Sequence, residues 1–409
     1  MPRFTFAPPS VVQELGYEPG LRVAPDGTLF MHAHKSTVAG DAGMMASYLW
    51  WSRDAGETWT PVTSPNGLRE ATYAFEGDIA FDGAGHVFFL DNTLADQVVS
   101  RWRLTEEGPI WESTVPLAGT DGADDRPWLE ASGDGQLVLM SKNPLLPGPG
   151  DLAGGRTDLG SYRVYRSTDA GLTWTLGATF AGSNWCDLAM DPRNPDRLAA
   201  LCMDEVLFMD TIPAMSLHAS TDGGVSWTTT PLGSLATGMA DRFPSLTTTP
   251  SGTTLAVWID DDPEDTANAR LQLARSQASG TLEVLDATPF EGTFQRPWVC
   301  SGKDVAAIVF YGTSDVVPGD QSEWHVYAAL SSDFDAGVPH WTLAQVDPLP
   351  VSARAGSPAD FFQCAVAADG AVHIAYLRES VDPLPVGVTY GGTILHVRQA
   401  TGPNLATPA

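Results

Sequence analysis

The sequence predicts an all-β chain: a seven-bladed β-propeller of four-stranded antiparallel blades, with six blades as the alternative count. Three observations predict it. An eight-residue phrase is written three times, at Ser52–Trp59, Ser167–Trp174 and Ser220–Trp227, each after an alternating strand-like run. A second signal, an apolar strand followed by an Asp/Gly turn or a related motif, starts again near residues 21, 77, 126, 185, 242, 296 and 362, at spacings of 49 to 66 residues. That period suits four short strands with their loops. Long helical periodicity and long apolar runs are absent, so neither helical layers nor a transmembrane helix is expected.

The elements follow in order. Arg3–Pro9 resembles an outer strand and is expected to complete the last blade, leaving no free sheet edge. Blade 1 starts at Leu21 and carries the first phrase. Blade 2 starts at Gly77, with Thr105-Glu-Glu-Gly108 and Trp111 as a relic of the phrase. Blades 3 and 4 start at Arg126-Pro-Trp-Leu129 and Trp185-Cys-Asp-Leu188 and carry the second and third copies. Blade 5, from Arg242-Phe-Pro-Ser-Leu246, and blade 7, from Phe362, carry none. Blade 6, from Arg296-Pro-Trp-Val299, carries a degraded copy at Ser332-Asp333, Gly337 and Trp341. Proline-rich stretches such as Pro144–Asp151 read as connecting loops, so residues 1–409 are expected to form one domain.

The repeated phrase has a physical reading. Asp54, Asp169 and Asp222 accept backbone N–H bonds inside a tight turn, Gly56, Gly171 and Gly224 tolerate a left-handed backbone, and Trp59, Trp174 and Trp227 anchor the hairpin by burial. Ser-x-Asp-x-Gly-x-Thr/Ser-Trp resembles the Asp-box, or BNR repeat, of sialidase-like propellers. That resemblance implies that the boxes are structural and lie away from the active face. It also makes Asp41, in Gly40-Asp-Ala-Gly43, the counterpart of the family's acid/base. Two departures accompany it: Tyr17-Glu-Pro-Gly20 stands where the family has Arg-Ile-Pro, and Tyr311 is the nucleophile candidate only by elimination.

Composition narrows the partners. With 22 basic and 50 acidic residues the net charge is −28, which argues against nucleic acid and anionic membranes and for a soluble, acidic surface. A monomer is expected. The chain opens Met-Pro-Arg-Phe without a basic-then-apolar leader, so a secretion signal is expected to have been removed or never present. An extracellular or periplasmic site is expected, with the cytoplasm left open. Cys186 and Cys202 flank the Asp191–Asp196 turn, and Cys300 and Cys364 occupy similar places in successive inner strands. Two disulfides or four buried thiols both fit.

Arg126, Arg242 and Arg296 hold equivalent positions just before inner strands, which would converge them on a carboxylate, sulfate or phosphate; the alternative is that each staples blades through Asp124, Asp125 or Asp241. Trp128 and Trp298 stack on a sugar or pack the inner strands. His32 and His34 supply a general base or pack the rim. Asp260–Asp265 holds Ca²⁺ or forms a solvated acidic loop; no cofactor is required. The functional expectation is a carbohydrate-active propeller, a glycoside hydrolase or a lyase acting on an acidic sugar. Asp41 and Asp125 would be the carboxylate pair of a hydrolase, and Tyr311 or the histidines the base of a lyase. A non-catalytic carbohydrate- or protein-binding propeller and a small-molecule biosynthetic enzyme are the alternatives.

Overall fold

The computed structural model describes residues 4–34, 47–62, 77–92, 97–117, 125–133, 135–142, 161–181, 183–204, 214–235, 243–261, 269–276, 282–319, 321–336, 339–352, 362–379 and 391–405. Every regular element among them is a β-strand, and no helix is long and apolar enough to cross a membrane. The chain divides into two compact units: residues 43–47 with 62–238, and residues 1–42 and 48–61 with 239–409.

The 62–238 unit holds three four-stranded antiparallel sheets, each strand pairing with the next. Blade 2 runs Gly77–Phe81, His86–Asn92, Gln97–Thr105 and Gly108–Pro116; blade 3 runs Asp125–Ala131, Leu137–Lys142, Tyr162–Ser167 and Thr175–Phe180. Blade 4 runs Ser183–Asp191, Asn194–Asp204, Ala214–Ser220 and Thr228–Ser234. Alternating apolar residues put Phe88, Leu90, Val99, Leu129, Leu137, Leu139 and Tyr165 into one cluster sandwiched between blades 2 and 3. Each such side chain contributes about 1.5–3 kcal/mol by leaving water. Polar groups staple the inner strands. Fully buried Asp78 accepts the Leu129 amide at 2.9 Å, and Trp128 donates its indole N–H to the Cys186 carbonyl. Cys186 faces Cys202 across the first hairpin of blade 4, and the two form a disulfide.

The other unit holds blade 5 (Ser245–Thr248, Thr254–Asp261, Ala269–Ser276, Leu282–Asp286) and blade 6 (Thr293–Ser301, Ala306–Thr313, His325–Ser331, Thr342–Gln345). It also holds an eight-stranded sheet in the order Gln363–Val366, Val372–Glu379, Gly392–Thr401, Ser10–Val23, Leu29–His34, Ser47–Ser52, Thr60–Pro61. The long strand Ser10–Val23 serves two blades. Its first half pairs with Gly392–Thr401, as does the short strand Thr5–Phe6, so N-terminal residues complete the C-terminal blade as expected. Its second half, from Tyr17, pairs with Leu29–His34 and begins blade 1. Each of the seven predicted starts falls on, or within three residues of, the first strand of a blade. Here too polar staples join inner strands: Gln363 Oε1 accepts the Leu21 amide at 2.8 Å, and Ser245 Oγ accepts the Val299 amide at 3.3 Å. A second disulfide, Cys300–Cys364, links the inner strands of blades 6 and 7. Closing loops of these two lengths is worth about 3–4 kcal/mol per bridge in the chain-entropy account.

The repeated turn forms as its residues dictate. In the first copy Asp54 Oδ1 accepts the Thr58 amide at 2.9 Å and the Ser52 hydroxyl at 2.7 Å, and Ser52 Oγ accepts the Gly56 amide at 3.0 Å. The other copies repeat the pattern on Asp169 and Asp222. Two consecutive residues are left-handed in each turn, so Ala55 and Ala170 share the strain that glycine alone was expected to absorb. In blade 6 the serine is Ser331, not Ser332: it donates to Asp333 at 2.9 Å, and a longer loop brings His340, in place of Thr, onto the same carboxylate. In the predicted relic the Thr105 hydroxyl donates to the Glu107 carboxylate at 3.2 Å, but no backbone amide closes on that carboxylate among the described bonds. Thr105 and Gly108 pair across a two-residue hairpin instead.

Candidate functional site

Within each blade the box turn joins strands three and four, at the same end as the first hairpin; Gly223 of the third turn donates its amide to Asp196 in that hairpin at 2.9 Å. The lead-in to each inner strand is therefore at the opposite end. Several lead-ins are irregular. Register shifts interrupt the inner strands between Tyr17 and Gly20, Asp125 and Trp128, and Gln295 and Trp298. At two of them a non-glycine residue before proline is left-handed: Glu18 at φ 49° and Arg296 at φ 54°. Such a conformation is uncommon for a residue with a Cβ and costs about 1–3 kcal/mol. Both side chains are buried, Glu18 at 7% and Arg296 at 4% exposure.

In the unit that contains residues 239–409, both lie near the phenol of Tyr311. Glu18 Oε2 lies 3.3 Å from His34 Nε2, and the Arg296 guanidinium lies over the Phe243 ring at 4.3 Å. Tyr311, on the second strand of blade 6, is fully buried with its ring 4.3 Å from Phe362. Burial pushes its phenol far above the ordinary range; the Leu377 backbone and Arg296 oppose that shift, while Glu379 and Glu18 add to it. Glu18, Arg296 and Glu379 thus all bear on the Tyr311 phenol, although 361 positions of sequence separate Glu18 from Glu379.

Behind them stands a second layer. Half-buried Glu379 accepts the Ser352 hydroxyl at 2.5 Å, and its amide donates to the Val351 carbonyl at 2.8 Å. Asp347, 1% exposed, accepts the Tyr376 hydroxyl at 2.5 Å, the Arg378 guanidinium and the Leu349 amide. A buried carboxylate so surrounded is satisfied and fixes the strand that carries Glu379. Burial, then the bond to Asp347, drives the Tyr376 phenol well above its usual range, so it stays protonated and donating.

The predicted site residues divide into three groups. Asp41 and Arg242 lie outside the described residues, as do Asp124, Asp241 and Asp262–Asp265. For Asp125 and Arg126 the backbone is described, in the inner strand of blade 3, and the side chains are not. Arg296, Tyr311, Trp128 and Trp298 are placed, and all four are buried. Trp128 staples inner strands through its indole N–H, and the Arg22 guanidinium sits 6.0 Å from the Trp298 ring. Both tryptophans therefore pack the inner strands and offer no stacking face to solvent. His32 is buried against Gly20, where a Cβ would fall 1.9 Å from Nε2, so only glycine admits the ring. Among the described residues no three His, Cys, Asp or Glu side chains gather as metal ligands.

Glu18 and Glu379 were missed as site residues by sequence reasoning. The signal for Glu18 is repeat equivalence: Glu18-Pro19 aligns with Arg126-Pro127 and Arg296-Pro297. Glu379, Asp347 and Tyr376 carry no local motif.

No protein-family model matches the chain, and no curated protein matches it in sequence. Solved structures do. A protein of unknown function from Dyadobacter fermentans aligns at a TM-score of 0.52 and 12% identity, over 97% of this chain and 98% of that one. The GH74 enzyme of Niastella koreensis aligns at 0.56 and 15% identity, over 95% of this chain and 55% of that one, so this chain spans about half its length. The NanB sialidase of Streptococcus pneumoniae aligns at 0.48 and 13% identity, over 98% of this chain and 70% of that one. At these identities the first two alignments establish the fold alone, an all-β propeller.

Proposed function

We propose that this chain is a carbohydrate-active enzyme, a glycoside hydrolase acting on an acidic sugar at the pocket of Glu18, Arg296, Tyr311 and Glu379. The observation that carries the reading is the pairing of strain with burial. Two oppositely charged residues are held in left-handed conformations before proline and share a pocket with a second carboxylate. Strain of that kind persists where the surroundings over-determine it, and it clusters at functional sites. The fold-level likeness to a GH74 enzyme supports the class of substrate by analogy.

Hydrolysis of a glycosidic bond needs two carboxyl groups, one to protonate the leaving oxygen and one to attack or to activate water. Glu379, the more solvent-accessible, is assigned to one role; Glu18, held by His34, or Asp41 takes the other. Arg296, with Arg242, holds the acid group of the substrate, since a guanidinium binds a carboxylate through paired N–H donors. Tyr311 is assigned a positioning role beneath the pocket, because its hydroxyl is buried away from solvent. The same burial argues against a lyase: a phenol pushed far above its ordinary range is a poor base at neutral pH. Two disulfides support an extracellular or periplasmic location, where such bonds persist.

The test is incubation with aryl glycosides and acidic oligosaccharides, following released phenol, new reducing ends and absorbance of an unsaturated product. A hydrolase yields reducing ends without that absorbance, and Glu379→Gln lowers its turnover. An unsaturated product would install the lyase reading, and saturable binding without turnover the non-catalytic one.

A further inference from the structure

Blade 4 differs from the other box-bearing blades on the face of its third strand. Counting back from the serine that opens each box, the residue two positions earlier is Trp50, Tyr165 or His218, and four positions earlier Tyr48, Arg163 or Ser216. Blades 1 and 3 thus fill this face with large side chains, of which Trp50, Tyr165 and Arg163 are buried. In blade 4 a serine and an imidazole occupy the same places, and a cavity of 470 Å³ opens there, bounded on its other side by the outer strand of blade 3. The space is large enough for one sugar ring or two.

Its lining has a definite chemistry. Phe180 stacks on His218 with ring centres 4.2 Å apart and planes 9° apart, and meets the box residue Trp227 edge-on at 5.2 Å. Ser216, Thr179 and Thr229 add hydroxyls. Among the described residues no carboxylate, ammonium or guanidinium group lines the cavity. Thr229 Oγ1 occupies Nδ1 of His218 at 2.9 Å, while Nε2 of this ring, 8% exposed, has no partner in the protein. Burial holds the imidazole at about 4, so it is neutral above pH 5. Aromatic faces suit the C–H surfaces of a sugar ring, and hydroxyls with a neutral imidazole suit its hydroxyl groups.

We infer that this cavity is a second ligand site, which binds a neutral sugar ring without acting on it. It lies wholly in the 62–238 unit and goes beyond the hydrolytic pocket proposed above. A neutral class follows because nothing in the lining would compensate a buried charge.

The experiment uses the full chain and four probes at millimolar concentration: methyl β-galactoside, methyl β-glucoside, galacturonic acid and N-acetylneuraminic acid. Binding is read by saturation-transfer NMR and tryptophan fluorescence in the wild-type, Ser216→Tyr, Thr229→Val and Glu379→Gln proteins. Ser216→Tyr restores the residue that blade 1 carries at this position, and it should fill the cavity. At least one neutral glycoside is expected to saturate, with Kd raised at least about tenfold in Ser216→Tyr, a few-fold in Thr229→Val, and unchanged in Glu379→Gln. Survival in Glu379→Gln separates this site from the hydrolytic pocket, whichever of the two readings fails. Should Ser216→Tyr not fold, Thr229→Val, nearly isosteric, decides alone. The inference is overturned if neither glycoside binds, if binding ignores both cavity variants, or if the acids bind here as tightly and are lost in the same variants.

Discussion

The two ends of a blade obey opposite rules. At the box end the same turn is built three times with the same partners, and its carboxylates are solvent-facing. The hydroxyl and amide of the residue four positions on hold Asp169 and Asp222 at about 2; for Asp54, partial burial opposes the same bonds but does not prevent a similar fall. At the lead-in end almost nothing repeats. Glu18 stands where Arg126 and Arg296 stand, backbones are strained, and charges are buried. Repetition marks what every blade needs for its own stability. Variation marks what is needed only once.

The sharpest test of that contrast sets a lead-in variant against a box variant. Glu379→Gln is expected to lower turnover about 10²–10³-fold while leaving the thermal midpoint within a few degrees of wild type. Glu18→Gly should lose a similar factor without losing stability, because glycine adopts φ near 49° freely and relief of strain offsets the lost pairing with His34. An active Glu18→Gly protein would remove Glu18 from the carboxylate pair, and full activity in both variants, measured on any substrate the wild type cleaves, would sink the assignment of function to this end.

Next in size is a contrast within the boxes themselves. Gly56 and Gly171 are both left-handed, but a Cβ at 56 would fall 2.0 Å from the His396 ring, whereas at 171 nothing lies closer than 3.7 Å. Gly171→Ala should cost about 1 kcal/mol of stability, from backbone strain alone, and Gly56→Ala about 2–4 kcal/mol. Equal losses in chemical denaturation would mean that His396 yields.

A smaller effect is expected from Asp169→Ala, which removes the acceptor of three hydrogen bonds at a solvent-facing turn. A fall of about 2–4 °C in the thermal midpoint with unchanged turnover fits a purely structural box. Any loss of activity larger than the loss of folded protein would contradict it.

The smallest effect is a pH slope. Burial holds His218 and His396 at about 4 and His373, whose Nδ1 lies 3.0 Å from His396 Nε2, at about 3. Arg398 and Asp369 also bear on His373, and the Gly56 carbonyl, Arg398 and Asp54 on His396. All three rings are neutral in the folded chain, while their unfolded counterparts take up protons near 6.5. Stability should therefore be level above pH 7 and decline as pH falls from about 6.5 towards 4. The box aspartates act lower, their contribution being present above about 4 and lost as pH falls through about 2. A urea midpoint that stays level down to pH 4 would show that the histidines do not share this burial in solution.

Much of the box end was legible in the sequence because each turn is made by residues within eight positions of one another. Where the local code weakens, so does the reading: the blade 6 turn was offset by one residue, from Ser331 to Ser332, and Thr105 was credited with a relic that is an ordinary hairpin. The lead-in end was legible only as positions. Arg296 and Tyr311 were singled out and both are buried, but the sequence holds no sign that Glu18 and Glu379 bear on Tyr311. Trp128 and Trp298 were open between stacking on a sugar and packing, and burial decided for packing. The cysteines were similarly open until register placed Cys186 opposite Cys202.

The chain by itself determined its strands, its turns and their recurrence, because hydrogen bonds between near neighbours and an alternating apolar pattern need no distant partner. Only the folded structure decided which charges meet, since residues 18, 296, 311 and 379 come together through the pairing of long-separated strands. Only the folded structure showed that a serine and an imidazole in blade 4 leave a cavity, because empty space is a property of what surrounds a side chain and not of the side chain itself.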